Sequence, residues 1–195
     1  MVHTDHPYAD GRIKGTGPTR IILLDVNFTL VANSRETFDL KRGPDVANEI
    51  YRGWLINLVK PHYVILMTTR DVGHQEATLA NIARLHDGWQ PQDAYFKPSW
   101  MRFVPAQEWK RLAMIRYVLP KHGRNTRPYL ALESNNSSRS MYQLMAVQVH
   151  KVPEQPWRGL PQPNGKHAVV DEAGYKSGSY DDPLNRQRRQ MKLRL

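Results

Sequence analysis

Cysteine is absent from the 195 residues. Disulfide scaffolds, Cys-ligated zinc, iron–sulfur clusters and thiol catalysis are excluded with it. Long apolar runs are missing as well. Stretches such as Val64 to Met67 fall far short of the roughly 18 residues that a membrane-spanning helix needs. The first residues hold His3, Asp5 and His6 where a secretion signal would be apolar, so a soluble, cytoplasmic protein with no membrane partner is expected. Negative charge is in short supply too: 28 Lys and Arg face 18 Asp and Glu, for a net charge of +10. Residues 1–152 carry 20 basic and 13 acidic side chains, and 153–195 carry 8 and 5, so most of the excess lies ahead of the C-terminal segment. A surface of that sign favours polyanionic partners, nucleotides and nucleic acids among them.

Apolar residues make up 40% of the chain, enough for the core of one domain. Residues 1–18 are polar and Gly-containing and read as a flexible arm; 19–152 read as an α/β domain; 153–195 read as a Pro/Gly-rich basic tail. Within the domain, Ile21–Leu24 form a short apolar run ended by Asp25, as expected of a central parallel strand buried on both faces. Gly43-Pro44-Asp45 opens a predicted helix in which Val46, Ala47, Ile50, Trp54, Leu55 and Leu58 recur at helical spacing, closed by Pro61. A strand Tyr63–Met67 runs into Thr68-Thr69-Arg70, and a helix follows over 75–86. Pro105 starts another, carrying Trp109, Leu112, Ala113, Ile115 and Leu119 and ended by Pro120. A third strand, Tyr129–Leu132, ends at Glu133; a helix near Ser138–Met145 and a strand Val147–Val152 complete the pattern. Alternating strands and helices predict a Rossmann-like parallel sheet with helices on both faces. In such sheets ligands sit at the carboxyl ends of the strands, here marked by Asp25, Thr68 and Glu133.

Those ends carry the elements of phosphate chemistry. Asp25 is a candidate nucleophile, and the amides of Val26 to Thr29 are a candidate anion nest. Thr68 offers a hydroxyl. Lys110, near a helix start, offers a cation, with Lys97 as a rival; Glu133 is suited to hard Mg²⁺. Arg70 is placed either to clamp a second phosphate or to pair with Asp71 or Glu76.

In this order the residues resemble the haloacid dehalogenase superfamily over roughly residues 20–152. Asp25-Val-Asn27-Phe-Thr29-Leu30 is similar to its first motif, Asp-x-Asp-x-Thr-Leu; Thr68-Thr69-Arg70 resembles the second; Lys110 resembles the third-motif lysine; and Glu133-Ser134, followed by Met141-Tyr142, resembles the fourth. Arg70 and the Met-aromatic pair are similar to the 3′-phosphatase domain of polynucleotide kinases. The resemblance implies a Mg²⁺-dependent phosphohydrolase acting on a nucleotide or polynucleotide phosphate through an aspartyl-phosphate on Asp25. Asn27, Thr68 and Lys110 would share the catalytic positions, and Thr29, Thr69 and Arg70 would bind substrate. Asp25, Asn27, Glu133 and Ser134 would surround the metal. Two positions depart from the pattern. Asn27 replaces the Asp that protonates the leaving oxygen, a loss typically worth a factor of about 10² to 10⁴. Ser134 replaces a metal-site carboxylate. Both favour the alternative, a catalytically weak or inactive module of this fold that binds nucleic acid or a protein. Only 33 residues separate Leu30 from Val64 and 41 separate Thr68 from Lys110, so no large cap domain is expected and the site stays open to a macromolecule.

Overall fold

The computed structural model describes residues 20–39, 42–126, 128–154, 156–157 and 159–161; the arm 1–18 and most of the tail lie outside this set. The chain divides into two compact units, Met1–Glu154 and Gln155–Leu195. In the first, β1 (Ile21–Leu24), β4 (Tyr63–Asp71), β5 (Asp93–Lys97), β6 (Tyr129–Leu132) and β7 (Gln148–His150) form one parallel sheet in the order β5-β4-β1-β6-β7. The β-branched run of β1 takes the central place, with Leu24 in register with Leu66 on one side and Leu132 on the other. Every residue of β1 and β6 is buried, as continuous apolar strands in a two-faced sheet must be.

Side-chain alternation then divides the core. Ile21, Leu23, Ile65, Met67, Tyr129 and Ala131 face α4 (Ala106–Ala113) and α6 (Asn136–Leu144), packing with Trp109, Ala113, Met141 and Tyr142. The alternate set, Ile22, Leu24, Val64, Leu66, Leu130 and Leu132, faces the other way, toward the layer of α2 (Gly53–Val59) and α3 (Gln75–Leu85), which bury Leu55, Ile56, Val59 and Ile82. The α/β fold with helices on both faces is therefore as the pattern predicts, and no cap domain occurs among the described residues.

Three elements depart from the periodicity. The predicted helix from Gly43 is instead a two-residue ladder, β2 (Phe38–Asp39) with β3 (Gly43–Pro44), a 3₁₀ turn (Val46–Asn48) and an extended step through Glu49 and Tyr51 before α2. Gly43 sits at φ +82, where a Cβ would meet the His74 ring at 2.6 Å, and Tyr51 bridges Val31. Ile50, read as an apolar helix position, is 62% exposed. Pro120 does not end the long helix: a wide turn over Met114–Val118 carries it into α5 (Leu119–His122), where the missing proline N–H falls among the unpaired donors of a new first turn. Strand β5, which the spacing did not suggest, lies at the sheet edge, where an Asp-Ala-Tyr-Phe-Lys segment with a polar start is tolerated.

Candidate active site

Asp25 follows β1 directly, and its amide donates to the Leu132 carbonyl (3.0 Å), which draws the ends of β1 and β6 together. The wide turn Val26–Leu30 comes next; α1 (Ser34–Thr37) lies beyond it. Within the turn Phe28 adopts φ +60, a left-handed conformation that is uncommon for a bulky residue. The fold is held there by Ser34 Oγ, which accepts from the Phe28 amide at 2.7 Å, and by Arg52, whose guanidinium donates to the carbonyls of Thr29 (2.7 Å) and Val31 (3.1 Å). The anion nest expected from Val26 to Thr29 is thus reduced, since Ser34 already occupies the Phe28 amide.

Three of the four predicted site residues, Asp25, Lys110 and Glu133, meet directly. Lys110 Nζ, on α4, donates to Asp25 Oδ1 (2.8 Å) and to Glu133 Oε2 (2.5 Å). Thr29 Oγ1 donates to Asp25 Oδ2 at 2.8 Å; Ser134 Oγ lies 3.2 Å from both Asp25 Oδ2 and the Asn27 carbonyl and donates to one at a time. The Asn135 amide donates to Glu133 Oε1 (2.9 Å). Asp25 therefore has two donors on Oδ2 and one on Oδ1, which leaves Oδ1 a lone pair. The cluster holds two carboxylates and one ammonium, all buried. Burial opposes the charge on Lys110, but Asp25 and Glu133 outweigh it and raise its pKa above the ordinary lysine range. Glu133 is pushed up to about 7, first by burial, then by the charge of Asp25, against the pull of Lys110. Its position is that of the second of two anions sharing one cation. Tyr142, fully buried on α6, senses both carboxylates and is raised well above the tyrosine range, chiefly by burial; among the described residues its hydroxyl has no hydrogen-bond partner.

Thr68 is fully buried and bonds outside this cluster: its Oγ accepts from the Arg70 amide (3.2 Å) and its carbonyl from Trp109 Nε1 (2.9 Å). The residue of β4 that lines the cleft is Thr69. Two substrate-binding expectations are corrected. Thr29 is wholly buried and serves to orient Asp25 instead of meeting a ligand. Arg70 is 2% exposed and pairs with neither Asp71 nor Glu76; its guanidinium grips both oxygens of Glu49 and donates to Thr78 Oγ1 (3.1 Å) and, through Nε, to Asn27 Oδ1 (2.8 Å). Glu49 also accepts from the Tyr51 hydroxyl (2.8 Å), whose pKa is raised by burial and then by Glu49. A buried guanidinium requires such a partner, yet Glu49 lies 21 residues away on a segment that reads as helix, so only the demand itself could have pointed to it. Lys97, the rival cation, is committed to two carbonyls of its own loop.

Asp25, Asn27, Lys110, Glu133 and Ser134 open onto a cleft of about 800 Å³. Its walls add Phe28 and Phe38, with Arg35, Arg52 and Lys151 offset by Glu36 and Glu154. These wall residues, apart from Phe28, belong to segments that the motif reading left without a role. No group of three or more His, Cys, Asp or Glu suited to a metal occurs among the described residues. The oxygens at hand are the carboxylates of Asp25 and Glu133, the Asn27 carbonyl and the Ser134 hydroxyl. That set fits Mg²⁺, which takes one or two carboxylates and keeps its remaining ligands as water and phosphate.

No known protein-family profile matches the chain, and no curated protein matches it. Chains in two solved structures share its fold. In the Pnkp1/Rnl/Hen1 RNA repair complex the identity is 15%, covering 72% of this chain and 47% of the other at a TM-score of 0.52. In a second structure of the Pnkp1/Rnl/Hen1 complex it is 17%, covering 78% and 51% at a TM-score of 0.55. The chain thus spans about half the length of the solved chains it matches. No helix of the described residues is long and apolar enough to cross a membrane.

Proposed function

We propose that the chain is a Mg²⁺-dependent phosphohydrolase of haloacid dehalogenase type that acts on a nucleotide or polynucleotide phosphate through Asp25. The observation that supports this most is the convergence of Lys110, Thr29 and Ser134 on one carboxylate at the floor of an open cleft. The three donors fix the rotamer of Asp25 and leave Oδ1 a lone pair for phosphorus. Attack forms the Asp25–phosphorus bond and breaks the ester bond. Asn27 has no proton to give, so the leaving oxygen takes its proton from water, and a second water releases inorganic phosphate from Asp25. Lys110 offsets charge growing on the phosphoryl oxygens. Asp25, Glu133, the Asn27 carbonyl and Ser134 would hold Mg²⁺, which supplies further charge neutralisation when bound. The fold shared with chains of an RNA repair complex supports a nucleic acid phosphate as substrate.

Incubation with Mg²⁺ and either a 3′-phosphorylated oligonucleotide or an aryl phosphate should release phosphate slowly, and Asp25→Asn should abolish release. Equal rates in the two proteins would refute the proposal. Asn27→Asp should accelerate turnover by less than the factor of about 10² to 10⁴ ordinarily due to acid–base help, because Arg70 Nε would hold the new carboxylate ionised. The Asn27–Arg70 hydrogen bond favours a second reading, a binding module without turnover: it directs the side chain at the acid–base position toward a buried ion pair. Oligonucleotide binding without phosphate release by the natural chain would select it.

A further inference from the structure

The cleft has little net charge with which to gather a polyanion, since Arg35, Arg52, Lys110 and Lys151 are matched by Asp25, Glu36, Glu133 and Glu154. A different feature lies on the same rim of the sheet. Strand β5 ends at Lys97, so the segment Pro98–Val104 leaves the parallel sheet at the carboxyl edge that also carries Asp25 and Glu133, and α4 then leads to Ala106 and Lys110 in the cleft. Its two largest side chains point outward: Trp100 is 80% exposed and Phe103 is 85% exposed. Aromatic area of this size left in water within four residues is unfavourable for a chain that could bury it, and marks a surface that meets a partner.

The loop beneath the rings is built rather than frayed. Met101 is buried in the core between them. Lys97 is itself buried, and its Nζ donates to the carbonyls of Arg102 (3.2 Å) and Val104 (2.5 Å). Ser99 Oγ donates to Asp71 Oδ1 at 2.8 Å, tying the loop to the end of β4, and the Met101 and Val104 amides close tight turns onto Pro98 and Met101. A buried ammonium and a strand-end carboxylate are thus committed to presenting two rings to solvent. Arg102 lies between the two aromatic residues in sequence, and its guanidinium sits over the Phe103 ring, 4.5 Å from its centre. Residues 97–111 carry four basic side chains and one acid.

We infer that the Pro98–Val104 loop is a preformed stacking platform for single-stranded nucleic acid, with Trp100 and Phe103 receiving bases and Arg102 a backbone phosphate. Two exposed rings with a guanidinium on a residue between them in sequence offer the aromatic and cationic groups that bases and phosphates of a strand require, and stacking of this kind is tolerant of sequence. An apolar protein surface docking here would instead desolvate Arg102 with no acid in the loop to pair it. The inference deepens the phosphohydrolase reading, on which it rests for the chemistry of the cleft: the platform selects a polynucleotide over a mononucleotide as the substrate class.

Fluorescence anisotropy of a labelled single-stranded RNA titrated with the full chain tests it. Trp100→Ala and Phe103→Ala should each weaken binding by about 5- to 160-fold, the range found for loss of one stacked base. Trp100→Phe should keep most of the affinity. Hydrolysis of an aryl phosphate, which needs no stacking, should be unchanged in Trp100→Ala. Unaltered RNA affinity in both alanine variants overturns the inference. So does a fall in molecular mass by sedimentation in Trp100→Ala without loss of affinity, which would assign the rings to a second copy of the chain. Loop-dependent RNA binding by a chain that hydrolyses neither ester upholds the platform and removes the phosphohydrolase reading; aryl phosphate hydrolysis with loop-independent binding does the reverse.

Discussion

A guanidinium sealed from water is costly unless several acceptors surround it, and Arg70 has found them in Glu49, Thr78 and Asn27. This arrangement assigns Arg70 to the framework of the site. Arg70→Ala should destabilise the fold by about 3–5 kcal/mol in urea titrations, because it leaves Glu49 buried and unpaired. Arg70→Lys should recover only part of this, since one ammonium cannot reproduce a fork that spans both Glu49 oxygens and Asn27. Removing both charges as Arg70→Met with Glu49→Met should restore more stability than the lysine does. An Arg70→Ala protein of unchanged stability would contradict the framework role and return Arg70 to the ligand. At this scale the sequence was legible where a residue ends a strand, as Asp25 and Glu133 do. It was silent where a partner is chosen by three-dimensional demand, as Glu49 is by Arg70, or where a side chain is turned inward, as in Thr29 and Thr68.

Among the elements, β5 shows how local pattern and tertiary structure part company. Nothing in its composition announces a strand, yet Asp93 at its start binds three side chains from two neighbours: Lys121 (2.5 Å) and His122 (2.8 Å) on α5, and Tyr63 (3.1 Å) at the start of β4. Burial pushes the Asp93 carboxyl up, but the hydrogen bonds from His122 and Lys121, the charge of Lys121 and the bond from Tyr63 outweigh it and bring the pKa down to about 2. A folded pKa below the unfolded one stabilises at pH values above the ordinary aspartate range and fades as pH falls through about 2. Relative to Asp93→Asn, the natural chain should therefore lose on the order of 1–2 kcal/mol between pH 5 and pH 2, a figure discounted for partial solvent screening. Parallel acid titrations of the two proteins by circular dichroism that superimpose over this range would refute the clasp. The helix expected from Gly43 failed for a related reason. Its apolar spacing was real, but the left-handed Gly43, the bridge from Tyr51 to Val31 and the need to bring Glu49 to Arg70 impose an extended path. Runs that are apolar on both sides, β1, β4 and β6, were legible because only a central parallel strand buries both faces.

For the molecule as a whole, the architecture came from alternation of strands and helices, and the solved chains sharing its fold at 15% and 17% identity agree with that reading of the fold. The net charge of +10 and the exposed rings of Trp100 and Phe103 lie apart from a cleft whose own charges balance, and on the inference above it is this loop that attracts a polyanion. On the two proposals above, chemistry and capture are separate properties of one sheet rim, so binding of a polynucleotide should survive at a site where Asn27 and Ser134 make turnover slow. The claim on which the account turns is that Asp25 takes the phosphoryl group. Because Asn27 gives no base to activate water, the phosphorylated chain should accumulate. After incubation with Mg²⁺ and a 3′-phosphorylated oligonucleotide and quenching in acid, mass spectrometry of the peptide containing Asp25 should show one added phosphoryl group, absent from Asp25→Asn. Phosphate release at an unchanged rate by Asp25→Asn, or an adduct on any other residue, would contradict it.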